Sequence, residues 1–181
     1  MVGICVHYPL NSINSHYAVG SLLYEVDNEF ADTPLWQPHI NSYRIDAAWR
    51  VQDWYTLDRA VHLPMQRNSQ ALLGCALHQM KNNLPIELTC TIGEARTNIT
   101  QQIAMNNSRS YRKSYPQLFN LQLLEELANA EKVWSSADPV QEMKRFEVRW
   151  EESFKRIMPR SQFKLNLLEL RKAAFFDIRH A

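Results

Sequence analysis

Asn41-Ser42-Tyr43-Arg44-Ile45-Asp46-Ala47-Ala48-Trp49-Arg50-Val51-Gln52-Asp53-Trp54 decides the fold of this chain. Ala47 and Ala48 are small enough to let a second helix approach closely, and Trp49 beside them fills the gap that such an approach leaves. Gln52-Asp53 is a short turn. Trp54 opens a returning helix that carries Leu57 and Ala60 and stops before Pro64, whose ring cannot continue the hydrogen-bond ladder. Aromatic and alanine positions paired in this way are what a helix hairpin in a repeat scaffold needs.

A second stretch has the same character. From Tyr111 to Leu127, the residues Tyr111, Tyr115, Leu118, Leu121, Leu124 and Leu127 form a continuous stripe at helical spacing, extended by Ala130. Pro116 lies within it and predicts a kink or a late start.

Working outward, Met1 to Val19 has no periodicity and is expected to be irregular, while Leu22, Leu23, Val26 and Phe30 fit a short helix from Ser21. Tyr43, Ala47, Ala48 and Val51 are expected on the first hairpin helix, after a connection in which Pro34 and Pro38 bracket Trp36. Ser69 is a candidate N-cap for a helix with Leu72, Leu73, Ala76, Leu77 and Met80 inside, closed by Asn82-Asn83. Pro85 suits the first turn of a longer helix lined by Leu88, Ile92, Ala95, Ile99 and Ile103. Asp138 and Pro139 read as N-cap and first helical residue of a charged helix, in which Glu151 with Lys155 and Glu152 with Arg156 are spaced i,i+4. The last helix, about Gln162 to Ile178, is expected to bury Phe163, Leu167, Leu170 and Ala174 and to expose Lys164, Arg171 and Lys172. About seven or eight helices with no β pattern predict an all-α array of antiparallel helix hairpins, an α-solenoid of the TPR or HEAT type.

Composition agrees with this. At 181 residues the chain suits one domain, and 45% hydrophobic with 22% charged residues is ordinary for a globular protein. Four glycines favour helices over turn-rich β structure. A net charge of +1 argues against a nucleic-acid-binding surface, which carries a marked basic excess. Cys5, Cys75 and Cys90 are odd in number and widely spaced, so they read as small apolar fillers in a reducing compartment. His7, Pro9, Asn11 and Asn14 interrupt any apolar leader, and no stretch reaches the roughly 18 apolar residues of a membrane span; the reading is a soluble intracellular protein.

Catalytic parts are not evident. Phosphoryl transfer needs a glycine-bearing loop, a lysine for the phosphates and metal-binding carboxylates and amides, and none of these is recognised. Asp177-Ile178-Arg179-His180 reads as solvated helix-end charge. The histidines His7, His16, His39, His62, His78 and His180 are read as unpaired at i,i+4 with each other or with a carboxylate, which sets aside a zinc site. No nucleophile elbow is seen. Arg109, Arg112 and Lys113 either dock an acidic partner segment or are simply solvated. Trp49, Trp54, Trp134 and Trp150 read as core or groove-lining residues. Ser69-Gln70 and Ser161-Gln162 match a Ser-Gln phosphorylation consensus at a frequency close to chance.

Asn41 to Trp54 and Ser110 to Leu127 closely resemble hairpins of the FAT region of the phosphatidylinositol-kinase-like protein kinases, in particular of the ATR type. A weaker match runs through Trp150, Phe154, Leu167, Leu168, Leu170, Arg171, Lys172 and Ala173. The similarity covers roughly Gly20 to Phe176, so residues 20–181 are expected to be a FAT-type segment and 1–19 an atypical start. The signature positions are Tyr43, Arg44, Ala47, Ala48, Trp49, Trp54, Leu57, Tyr111, Tyr115, Leu118, Leu121, Leu124, Leu127, Leu170 and Arg171. The resemblance implies a scaffold without catalytic, cofactor or metal residues of its own, from a nuclear serine/threonine kinase of DNA-damage and replication-stress signalling. ATP and magnesium would bind the parent's kinase domain. The implied partners are that domain, the neighbouring solenoid and proteins of the checkpoint complex, with no direct nucleic-acid or membrane contact. The competing reading is a free-standing TPR-like adaptor that holds a peptide in its concave face. Such an adaptor needs a polar terminal helix, whereas Phe175, Phe176 and Ile178 read as if a further helix pair should follow.

Overall fold

A computed structural model describes residues 36–106, 111–157 and 161–177. The expected irregular start at 1–19 and the short helix from Ser21 lie outside these residues. Seven α-helices follow one another, with no strand among the described residues: α1 Gln37–Val51, α2 Trp54–Val61, α3 Ser69–Lys81, α4 Pro85–Asn106, α5 Tyr111–Trp134, α6 Pro139–Arg156 and α7 Ser161–Lys172. A π-helical turn, Ala173–Asp177, continues α7.

Helix ends follow local chemistry. Gln52 ends α1 in the left-handed region at φ 64°, and the Asp53 carboxylate caps α2 by accepting from Thr56 N at 3.0 Å. Asn83, at φ 53°, lies just past the end of α3 as expected. Asp138 caps α6 by accepting from Gln141 N at 3.1 Å, with Pro139 in the first turn. The expected Ser69 cap is displaced by one residue: Asn68 accepts from Ala71 N at 2.9 Å, and Ser69 is the first helical residue. α5 runs through Pro116 from Tyr111, so no late start occurs. The proline forgoes only the bond to the Arg112 carbonyl, early in the helix.

α1, α3 and α5 each pack on the next helix and on the next but one: α1 touches α2 and α3, α3 touches α4 and α5, and α5 touches α6 and α7. That pattern is the arithmetic of a solenoid. α3 meets α1, α2, α4 and α5, so its residues from Ala71 to His78 are buried on every side and not on one face alone. α4 buries Leu88, Ile92, Ala95 and Ile99 in the expected register, with Ile103 partly buried. Longer links cross this pattern: α3 also touches the π-helical turn. Arg50 of α1 reaches α7, bonding Asn166 Oδ1 at 3.3 Å and Glu169 Oε2 at 3.0 Å.

Candidate functional site: the hairpin seams

The α1–α3 seam is tight because it is built on a glycine. A Cβ placed at Gly74 would overlap Ile45 Cγ2 and lie 3.2 Å from Trp49 Cδ1. Ile45, Ala48, Trp49, Leu57 and Ala60 are all buried there together with Ala71, Leu72 and Cys75. Polar pins fix the loop that follows α2. Asn41 Nδ2 donates to Ala60 O at 2.8 Å, and Ser42 Oγ is 2.8 Å from both Pro38 O and Gln66 O. Buried amide and hydroxyl groups on α1 thus do what an apolar face would not: they bond carbonyls at the end of α2 and in the irregular segment that follows it.

Not every signature position is inside. Ala47, Ala48, Trp49, Leu57, Tyr115, Leu124, Leu127, Leu170 and Arg171 are buried, whereas Tyr43 is 50% exposed and Leu118 37% exposed. Arg44 is half-buried and Leu121 is partly buried against the core. The side chain of Tyr111 lies outside the described residues, as do those of Arg109, Arg112 and Lys113. The inner face of α1 is therefore rotated to Asn41, Ser42, Ile45, Ala48 and Trp49, and that of α5 to Tyr115, Phe119, Leu123, Leu127 and Ala130. Phe119 stands outside the expected stripe, yet it sets the register: its ring and that of Tyr115 lie 4.8 and 4.9 Å from Phe163 of α7. Trp54 is half-buried under Lys81, whose Nζ sits 4.6 Å from the ring centre.

The second seam centres on charge. Arg171, expected in solvent, is buried and bonds Glu126 of α5 through two nitrogens at 2.9 and 3.1 Å. Its guanidinium lies 4.8 Å from the Trp150 ring, and Ser153 Oγ donates to the same carboxylate at 2.9 Å. Trp150 in turn stacks edge-on against Phe175 at 4.8 Å. Phe175 is buried between Trp150 and Trp134, so it needs no further helix pair to cover it. Trp134 Nε1 donates to Ala174 O at 3.1 Å, a carbonyl of the widened π-helical turn. A cavity of about 320 Å³ opens beside these residues between α5 and α6, lined by Gln122, Glu126, Phe146, Trp150 and Ser153 among others.

Around these seams the titrating groups report ordinary pairing and burial. The hydrogen bond from Arg67 holds the Glu94 carboxyl below 4.5, and that from His78 holds Asp58 below 3.8. Burial pushes the Cys75 thiol up to about 11. Cys75 is an apolar filler as expected; Cys90 is exposed and is not. The ion pairs Glu151–Lys155 and Glu152–Arg156 form at 2.7 and 3.1 Å.

One expectation about histidines fails. Asp58 of α2 and His62 at its C-cap stand at i,i+4, and His78 of α3 bonds Asp58 through Nε2 at 2.8 Å; one ligand atom from each of the three lies within 4.8 Å of the others.

The sequence profile of the FAT domain matches residues 41–180. No curated protein and no solved structure matches. A match over most of the chain places it in the FAT-domain family, the non-catalytic helical region characteristic of phosphatidylinositol-kinase-like kinases. Among the described residues, no helix is long and apolar enough to cross a membrane.

Proposed function

We propose that this FAT-domain segment belongs to an ATR-like serine/threonine kinase that signals DNA damage and replication stress in the nucleus, and that it positions and regulates the kinase domain. In this reading the FAT-type segment begins near Gly20, and its partners are the kinase domain, the adjoining solenoid and proteins of the checkpoint complex. The supporting observation is the α1–α3 seam. Gly74, Ile45 and Trp49 meet with no slack, so a displacement of one helix is passed to its neighbour instead of being absorbed, and packed interfaces of this kind bias a two-state domain attached to them. The likeness of Asn41 to Trp54 and of Ser110 to Leu127 to ATR-type hairpins supports the choice within the family.

The test is to tag the protein at its own locus, purify it from nuclei after replication stress, and assay phosphoryl transfer to a Ser-Gln peptide. Kinase activity should co-purify, and Trp49→Ala should change it severalfold with protein level held constant. A tagged protein that is cytoplasmic, or free of Ser-Gln kinase activity, contradicts the proposal. A free-standing adaptor draws support from a different observation, the bond from Arg50 to Glu169 that ties α1 to α7. In that case the tagged protein would run as a small complex with a peptide-bearing partner.

A further inference from the structure

Asp58, His62 and His78 form the one group of histidine, cysteine and carboxylate ligands found close enough to share an ion among the described residues. Asp58 of α2 and His62, the residue that caps its C-terminus, stand one turn apart and are exposed; His78 projects from α3 and is buried. The rings of His62 and His78 meet edge-on with centres 6.0 Å apart. His78 Nε2 has two neighbours, Asp58 Oδ1 at 2.8 Å and Asn82 Nδ2 at 2.9 Å, while that same Asn82 nitrogen donates to the His78 carbonyl at 3.1 Å. A ring nitrogen carries either a proton or a lone pair, so Nε2 can donate to Asp58 or accept from Asn82 but cannot do both.

We propose that Asp58, His62 and His78 bind a divalent transition-metal ion of the zinc type, clamping α2 to α3. Two imidazoles and one carboxylate suit zinc, nickel or copper and are a poor set for calcium or magnesium, which take oxygen ligands. Donors on a tetrahedral ion lie about 3.3 Å apart when metal–ligand bonds are about 2.0–2.1 Å. Asp58 Oδ1, now 2.8 Å from His78 Nε2, would open by about 0.5 Å, and donors as far as 4.8 Å apart would close by up to about 1.5 Å, within the range of a rotamer adjustment of the exposed Asp58 and His62 side chains. The bound Nε2 would present its lone pair to the ion, and Asn82 would keep its bond to the His78 carbonyl. Water would complete the coordination. The site lies apart from the Glu126–Arg171 seam and does not depend on which kinase the segment serves.

The full 181-residue chain, freed of metal, is titrated with zinc by calorimetry and with cobalt(II) by absorption. One ion should bind, cobalt should show the intense visible bands of a four-coordinate site, and magnesium should give no signal. His62→Asn and Asp58→Asn replace exposed side chains and leave the core intact. Each should weaken zinc by about 10- to 100-fold, at least the loss seen when even a supporting residue behind a ligand is changed. His16→Asn and Cys90→Ser should leave binding unchanged. Absence of zinc binding, or binding that survives both ligand substitutions, overturns the proposal.

Discussion

Arg171 and Glu126, 45 positions apart, meet in a bidentate ion pair in which each side chain retains only about a tenth of its exposure, 11% and 10%. A buried charge left alone is far worse than a buried pair, because desolvation has been incurred with nothing to offset it. Arg171→Ala or Glu126→Ala should each destabilise the chain by about 3–5 kcal/mol. The double variant Glu126→Leu with Arg171→Met should cost less than either alone. Chemical denaturation of the four proteins measures this; additive losses would mean that the pair is not coupled.

Two glycines make opposite predictions from the same substitution. Gly74→Ala forces a methyl into Ile45 and Trp49, and overpacking of this kind costs about 1–3 kcal/mol. Gly93 is exposed within α4, and a Cβ added there would meet nothing within 4 Å, so Gly93→Ala should stabilise by about 0.5–1 kcal/mol through helix propensity. Melting temperatures that move in the same direction would show that the α1–α3 approach is not as close as described.

Trp49 and Trp54 should separate likewise. Trp49 is 1% exposed, so Trp49→Ala should cost about 3–5 kcal/mol. Trp54→Ala should cost clearly less, since that ring is only partly buried and its outer face is covered by Lys81. Equal losses would place Trp54 in the core.

Acid should weaken the chain in a defined window. Glu94 titrates below 4.5 when folded, so its unfolded form takes up protons first; the stability it contributes is present above 4.5 and is lost as pH falls through its lower folded value. Asp58 acts with the same sign below 3.8. Glu94→Gln should flatten the fall of melting temperature between about pH 5 and 3, and an unchanged slope would deny the Arg67 pairing its role.

Thiol labelling at about pH 8 should find Cys90 quickly, whereas Cys75, its thiol pushed up to about 11 and buried, should react only on unfolding. Mass mapping of the labelled peptides checks this. Rapid modification of Cys75 would show that the first seam opens readily.

Much of the architecture is legible in the sequence because helix ends announce themselves locally. Asp53, Asn83, Pro85 and Asp138-Pro139 act through neighbours within a turn, and the helices start and stop beside them. The register of α5 is not legible in this way. Leu118-Phe119-Asn120-Leu121-Gln122-Leu123-Leu124 places apolar residues on nearly every side, and Phe163 of α7 decides which of them turn inward. Arg171 reads as solvated because its partner is distant in sequence. The Asp58–His62 spacing is visible in the sequence, yet it gains meaning only from His78 on another helix.

Segment-resolved hydrogen exchange on Arg171→Ala tests most directly whether these helices are rungs held by their neighbours. Loss of protection confined to α5, α6, α7 and the π-helical turn, with the last turn of α1 affected through Arg50, is the predicted result, while α2, α3 and the first half of α4 stay protected. A uniform loss across all seven helices would contradict the ladder and describe a single cooperative globule instead.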